Sequence, residues 1–141
     1  MAEEFPSVEA LERLADHMNT HEDDFAKLGV VDCRMGVRVE STDREYTVVF
    51  ERYGCSDVAP GTADIDFALE AGVETWQEMY DDIVANGHAS RTQTLNYLAL
   101  PGFNMRVTAE DQLGEDLFSR YGQTLQAFFD GAGAALARSV S

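Results

Sequence analysis

The spacing of His17 and His21 can support chemistry, because residues four apart lie on the same face of a helix. Two imidazoles placed in this way can bind one metal ion. No glutamate follows His17, as the zinc-protease pattern requires, and Glu22-Asp23-Asp24 lacks the alternating ligands and the glycine of a calcium loop. We therefore expect a solvated helix edge here and no metal site.

His88 lies in a predicted loop and is a second candidate for chemistry. At the mouth of an apolar pocket it could serve as a general acid or base, assisted by Tyr97 or by a carboxylate. The simpler interpretation is a loop histidine that faces water. Asp81 and Asp82 are likewise interpreted as a solvated helix face, although turning one of them toward an apolar cavity would raise its pKa.

The two cysteines, Cys33 and Cys55, do not have the C-x-x-C spacing. Cys33 is in phase with the apolar side of a strand and is interpreted as a small buried hydrophobic residue. Cys55 follows Gly54 in a predicted loop, and no histidine lies near it in sequence to activate it as a nucleophile. The sequence has no G-x-S-x-G, Walker-type or G-x-G-x-x-G motif, so hydrolase, nucleotide-binding and nicotinamide-dependent functions have no support.

The chain is strongly acidic, with 26 Asp and Glu residues against 10 Lys and Arg and a net charge of −16. Such a surface repels phosphate backbones and anionic lipid headgroups, so we expect no nucleic acid partner. No apolar run approaches the roughly 20 residues of a membrane-spanning helix. The first residues also lack the features of a secretory signal. These properties predict a cytoplasmic protein without stable membrane insertion.

Hydrophobic periodicity predicts the elements that must position these residues. A helix begins after Ser7, a good N-cap, and is expected to weaken after His21 and to end at Gly29. A period of two over residues 31–39 and again over residues 46–50 predicts an antiparallel hairpin. Residues 54–61 are interpreted as a connection to a third strand at residues 63–69, so the three strands are expected to form a meander.

A helix led by Trp76 follows the third strand directly. Residues 94–100 are interpreted as a short helix, residues 103–107 as a last strand, and residues 112–138 as one long helix. This order, α-β-β-β-α-(α)-β-α, predicts one α+β domain over residues 1–141, with a mainly antiparallel sheet of four or five strands and helices packed on one face. The exposed edge of such a sheet leaves open a homodimer or a partner subunit.

Three pieces of the sequence together resemble the sterol carrier protein 2-like (SCP2-like) family. They are Ala63-Asp64-Ile65-Asp66-Phe67 leading to Glu74-Thr75-Trp76, the strand at residues 103–107 that is followed by an acidic pair, and the long C-terminal helix. The resemblance covers most of the chain, from Val30 to Phe129. Glu110-Asp111 stands where the family usually has Gly-Asp, and residues 88–100 replace its Gly-rich repeat.

The resemblance implies a fold whose sheet and helices enclose an apolar tunnel for fatty acyl chains, sterols or similar molecules, without a cofactor or a metal. The late part of the chain is rich in aromatic residues, which either fill a core or, with aliphatic side chains, line such a cavity. On this basis the predicted ligand-binding residues are Trp76, Tyr80, Leu95, Tyr97, Leu98, Phe103, Met105, Phe118, Tyr121, Leu125, Phe128 and Phe129.

We therefore expect a protein that binds or carries a hydrophobic small molecule, such as a lipid, a sterol or a terpenoid. The alternative is a small cofactor-independent dehydratase, isomerase or hydratase that acts on an apolar substrate in the same tunnel. Such chemistry needs a proton donor and a proton acceptor with separated pKa values in a dry site. Whether His88 or a carboxylate reaches the pocket decides between the two hypotheses.

Overall fold

Within residues 5–100 and 102–135, which the computed structural model describes, five strands form one sheet. The strands are β1 (Cys33–Val39), β2 (Glu45–Glu51), β3 (Gly54–Pro60), β4 (Phe67–Ala71) and β5 (Met105–Thr108). Their spatial order is β3-β2-β1-β4-β5. Strands β1 and β4 are parallel, and the other neighbouring pairs are antiparallel. The predicted α+β class with a mainly antiparallel sheet is confirmed.

The described helices are α1 (Val8–Thr20), α2 (Glu22–Ala26), α3 (Val73–Asn86), α4 (Leu95–Leu98), α5 (Gln112–Arg120), α6 (Gly122–Asp130) and α7 (Ala132–Ala135), with one turn of 3-10 helix at Arg91–Gln93. Local chemistry sets their ends. Ser7 Oγ accepts from the Ala10 amide at 3.1 Å, which caps α1. Gly87 ends α3 with a φ of 85°, a left-handed conformation that glycine adopts without steric cost.

The segment predicted as a connection, residues 54–61, instead forms strand β3 at the edge of the sheet. Polar residues such as Ser56 and Asp57 are exposed on this strand, so it lacks the regular apolar alternation that identifies a strand in sequence. The predicted meander is therefore wrong at its third strand. Residues 61–66 cross one face of the sheet, where Thr62 and Ile65 lie over Gly36 of β1, and β4 begins only at Phe67.

The helix predicted for residues 112–138 is divided into α5, α6 and α7, with breaks at Tyr121 and Gly131. The last part of that prediction, residues 136–138, lies outside the described residues. Gly122 follows the first break and Gly131 forms the second, and glycine weakens a helix interior by about 1 kcal/mol relative to alanine. The first predicted helix is likewise divided at His21. The short helix predicted within residues 94–100 is confirmed as α4.

Helices α1, α3 and α6 pack on the face of the sheet that we call the inner face. Helix α1 contacts β3. Trp76 Nε1 of α3 donates to the Arg38 carbonyl oxygen at 3.0 Å, and the ring of Phe128 on α6 lies 5.1 Å from the ring of Phe50 on β2. The hydrophobic core lies between the inner face and these helices. The opposite, outer face is the one that residues 61–66 cross.

Candidate functional site

Aromatic side chains meet where α3 and α6 approach the inner face, and we define the aromatic cluster as Phe5, Trp76, Tyr80, Phe128 and Phe129. Phe5 stacks on Tyr80 with ring centroids 4.8 Å apart, Trp76 lies 6.0 Å from Phe129, and Phe129 lies 5.3 Å from Phe128. The buried residues of α3 recur with helical spacing, which explains why the helix presents Trp76 and Tyr80 together.

The structure divides the predicted ligand-binding residues into separate groups. Trp76, Tyr80, Phe128 and Phe129 come together in the aromatic cluster. Phe118 instead contacts Phe67 of β4, with ring centroids 5.8 Å apart. Tyr97, which is half-buried, contacts Phe103, which is 45% exposed. The remaining predicted residues are Leu95, Leu98, Met105 and Leu125, which are buried, and Tyr121, which is half-buried.

Two residues that contact this region, Phe5 and Phe50, were missing from the predicted set. Phe50 could have been identified, because it belongs to the apolar face of the predicted second strand. Phe5 could not, since it precedes the first helix and has no periodic pattern around it. Its ring nevertheless contacts Trp76, Tyr80 and Phe129.

The aromatic cluster is closed in this structure. Trp76, Leu125 and Phe128 are 0% exposed and Phe129 is 1% exposed. A space wide enough for a water molecule would expose the side chains that border it, so these residues pack directly against their neighbours. An apolar guest could lie among them only if the packed helices and the sheet moved apart, for example by a displacement of α6.

The outer face carries a network of charged and hydroxyl side chains centred on Arg38. Its Nε donates to Glu45 at 2.8 Å, its Nη1 to Glu70 at 2.8 Å, and its Nη2 to Thr62 at 3.2 Å. Thr108 of β5 donates to Glu70 at 3.0 Å. The network therefore ties together β1, β2, β4, β5 and the crossing segment at residues 61–66.

A cavity of about 440 Å³ opens beside this network, and its walls include Arg38, Thr62, Asp66 and Thr108. Each side-chain nitrogen of Arg38 already donates to a protein oxygen. These three hydrogen bonds join the strands to the crossing segment, and we assign the guanidinium a structural role.

We expect Glu70→Gln to lower the free energy of unfolding by about 1–3 kcal/mol at neutral pH, because hydrogen bonds to charged groups contribute on this scale. Burial alone would raise the pKa of Glu70, but hydrogen bonds from Arg38 and Thr108 and the charges of Arg38 and Arg106 lower it overall. A carboxylate with a lowered pKa stabilises the folded state above its unfolded-state pKa, and that contribution is lost as the pH falls through the lowered value.

Urea denaturation from neutral to acidic pH checks this prediction. The difference between the parent and Glu70→Gln should shrink as the pH falls. Glu9→Gln is the matched control, because Glu9 is exposed on α1. A difference for Glu70→Gln that does not change with pH would contradict the assigned ion pair.

The histidines and Asp82 are other residues that the sequence offered as candidates for chemistry. The rings of His17 and His21 stack with centroids 4.2 Å apart, and His88 is exposed. Asp82 accepts from the Ser90 amide at 2.6 Å and from Ser90 Oγ at 2.7 Å. Burial raises the pKa of Asp82, but these hydrogen bonds outweigh it and the pKa is lowered. No group of three His, Cys, Asp or Glu side chains within residues 5–100 and 102–133 could hold a metal ion.

Both cysteine thiols are buried. Burial, with smaller contributions from Asp66 and Asp32, raises the pKa of Cys33 to about 12. Cys55 lies on strand β3 rather than in the predicted loop, and burial raises its pKa to about 11. Both thiols are therefore protonated at neutral pH, which is the unreactive form.

Comparison with known proteins assigns the fold. A crystal structure of sterol carrier protein 2 superposes on this chain with a TM-score of 0.66, covering 90% of this chain and 95% of that chain at 15% identity. The chain has the sterol carrier protein 2 fold. The same fold occurs in a ubiquinone synthesis protein, UbiJ-SCP2, with a TM-score of 0.51, 18% identity and coverage of 86% of this chain and 84% of that chain.

A third structure with the sterol carrier protein 2 fold is the solution structure of a conserved hypothetical protein from Thermus thermophilus, described as a candidate sterol carrier protein. Its TM-score is 0.55 at 15% identity, and the match covers 89% of this chain and 87% of that chain. No family model and no curated protein sequence matches this chain. Among the described residues, no helix is long and apolar enough to cross a membrane.

Proposed function

We propose that this chain binds and carries a hydrophobic small molecule in the layer between the inner face of the sheet and helices α3 and α6. The observation that carries the proposal is the apolar character of that layer combined with the sterol carrier protein 2 fold. Among the described residues, the buried polar side chains are Thr47 and Thr124, and neither of them carries a charge. A neutral, aromatic-rich layer favours an apolar ligand.

Ligand entry in this proposal requires α6 to move, because the aromatic cluster is closed. Two polar contacts tie α6 to the segment that leads into α4. Gln126 Oε1 accepts from the Leu95 amide at 2.7 Å, and Asp130 Oδ1 accepts from the Ala89 amide at 2.9 Å. Each such hydrogen bond contributes on the order of 1 kcal/mol. A ligand that restores the apolar contacts of Phe128 and Phe129 can therefore offset the cost of opening.

The ligand class follows from the same layer. A buried charge without a partner is costly, so the part of the ligand that lies inside should be uncharged. Acyl chains, sterols and terpenoids meet this condition. The structural neighbour named as a ubiquinone synthesis protein makes an isoprenoid quinone or its precursor a further member of the same class.

We expect titration with a fluorescent fatty acid and with a sterol probe to show binding with micromolar or better affinity. Trp76 is the sole tryptophan and lies in the aromatic cluster, so its emission should change as the probe binds. Phe128→Leu should weaken binding by about fivefold or more, because an aromatic contact surface is replaced by a smaller aliphatic one.

Phe25→Leu is the matched control, because Phe25 is a buried phenylalanine of α2 outside the aromatic cluster. Its affinity for the probes should stay near that of the parent. Absence of binding across a broad panel of apolar probes would contradict the proposed function.

Catalysis on an apolar substrate finds no support in His88, Asp82 or the two thiols. The exposed side chain of His88, the lowered pKa of Asp82 and the raised thiol pKa values do not provide a proton donor and acceptor inside the apolar layer. Binding without turnover is the function that the site supports best.

A further inference from the structure

One segment of this acidic protein combines exposed apolar side chains with a sequence that contains no carboxylates. Residues 83–109 contain no Asp or Glu, although the chain has 26 of them. Within this stretch, Leu100 is 46% exposed and Phe103 is 45% exposed. The Tyr97 ring lies 5.0 Å from the Phe103 ring. We define these three residues, Tyr97, Leu100 and Phe103, as the α4 patch.

The backbone and the core hold the α4 patch in place. The Leu100 amide donates to the Tyr97 carbonyl oxygen at 3.2 Å, and the Phe103 amide donates to the Leu100 carbonyl oxygen at 3.0 Å. On the other side of the same helical turn, Leu95 and Leu98 are buried in the core. The patch is therefore presented on a fixed turn.

The chain segment that carries the patch has few charged side chains. From α6, Gln126 accepts from the Leu95 amide, and Gly122 approaches Asn96. The charged residues of the stretch are Arg91, which is exposed, and Arg106, which pairs with Glu40 at 2.7 Å and with Glu70 at 3.4 Å. The stretch itself therefore carries no carboxylate, although Asp82 of α3 and Asp130 of α6 accept hydrogen bonds from its Ser90 and Ala89 amides.

We propose that the α4 patch docks the protein on the surface of a neutral, zwitterionic lipid bilayer. Aromatic and aliphatic side chains on a loop favour the interface between water and hydrocarbon. The proposal concerns an exterior surface and does not depend on ligand binding in the apolar layer.

The size of the patch favours a lipid surface over a second copy of the chain. Aromatic side chains bury about 150–250 Å² each. Leu100 and Phe103 are a little under half-exposed and Tyr97 is less exposed, so the patch offers on the order of 250 Å² or less. A stable protein interface requires about 800 Å² from each partner. Inserting a few side chains into a bilayer has no such requirement. The net charge of −16 also opposes the approach of two copies.

The charge further predicts which lipid is preferred. At low salt, anionic headgroups repel the rest of the chain, so docking should be weaker on anionic than on zwitterionic vesicles. Added salt should reduce this difference, because it screens the repulsion.

Vesicle sedimentation with the full chain tests the proposal. We expect the parent to pellet with phosphatidylcholine vesicles and to pellet less with vesicles that contain phosphatidylglycerol. Leu100→Ser, the patch variant, should lower the partition coefficient on phosphatidylcholine by about fivefold, because an exposed apolar side chain of the patch is lost.

Leu28→Ser is the matched control, because Leu28 is 40% exposed and lies outside the acid-free stretch. It should pellet as the parent does. Three results would overturn the proposal. The parent could fail to pellet with any vesicles, the control variant could lose as much vesicle binding as the patch variant, or the parent could bind anionic vesicles more tightly than zwitterionic ones. The proposal would also be overturned if light scattering gave the patch variant half the molar mass of the parent and of the control, since the patch would then join two copies.

Soluble-probe titration of the patch variant separates this proposal from the proposed function. Retained probe affinity with lost vesicle binding supports a docking role. Parallel loss of both would place the patch in the ligand site and overturn the docking proposal. If the parent binds no probe but pellets with vesicles, the proposed function fails and docking stands.

Discussion

Trp76→Ala is expected to lower the free energy of unfolding by about 3–5 kcal/mol, the range for truncating a fully buried aromatic side chain. Trp76 is 0% exposed and contacts Phe5 and Phe129. Its indole N–H donates to the Arg38 carbonyl oxygen. The substitution therefore leaves a cavity and removes the indole donor to a part-buried carbonyl oxygen. Denaturation followed by circular dichroism measures the loss without relying on tryptophan emission.

Trp76→Phe separates the stability lost with the ring packing from the stability lost with the indole hydrogen bond. The phenyl ring keeps much of the packing but cannot donate to Arg38, so we expect a smaller loss of about 1–3 kcal/mol. Since small domains have total stabilities of about 5–15 kcal/mol, this milder variant also remains measurable if Trp76→Ala does not fold. Equal stability of the two variants would show that ring packing contributes little, contrary to the structure.

Gly114→Ala is expected to destabilise the fold by about 2 kcal/mol or more, although alanine is the better helix former. A Cβ at position 114 would overlap the carbonyl oxygen of Asp66 and lie 2.8 Å from Ala109 Cβ. A backbone oxygen cannot rotate away as a side chain can. Helix α5 would therefore have to move from the start of β4.

Gly122→Ala is the matched control on the neighbouring helix. A Cβ at position 122 would lie 4.0 Å from the nearest side-chain atom, so the substitution meets no steric conflict. Its helix propensity should then leave stability unchanged or raise it by up to about 1 kcal/mol. Thermal or urea denaturation of the pair gives the comparison. Similar stability changes for both variants would contradict the close approach of α5 to β4.

The sequence predicted the elements that have clear apolar periodicity. The hairpin of β1 and β2 and the Trp76 helix are present. One face of each is buried against the core, and this burial is what produces apolar periodicity in a sequence. Strand β3 was missed because it lies at the sheet edge and carries exposed polar residues. The break at Tyr121 was missed because tertiary packing decides whether a weak position interrupts a helix.

The sequence predicted which residues of the candidate site face inward, but not how their side chains are arranged in space. Periodicity shows that Trp76 and Phe128 face inward, but a packed core and a ligand site use the same residue types. Whether a space remains between such side chains depends on helix positions that no local pattern encodes. The ligand-binding role of these residues therefore stays a prediction, to be tested by titration.

The fold match persists at 15% identity because a core requires apolar residues of suitable total volume more than particular residues. Sequence comparison registers residue identity, whereas superposition registers the path of the backbone. This chain matches known proteins by its backbone path and not by its residue identities. The fold is therefore established, whereas the ligand is a proposal.

The parallel pairing of β1 with β4 affects the order in which the sheet can assemble. The β1–β2 and β2–β3 pairs join neighbouring segments, whereas Arg38 and Glu70 on β1 and β4 are 32 residues apart. Closing a longer loop costs more chain entropy before its contacts form. The three N-terminal strands should therefore form a nucleus early, and β4 with β5 should join it late in refolding.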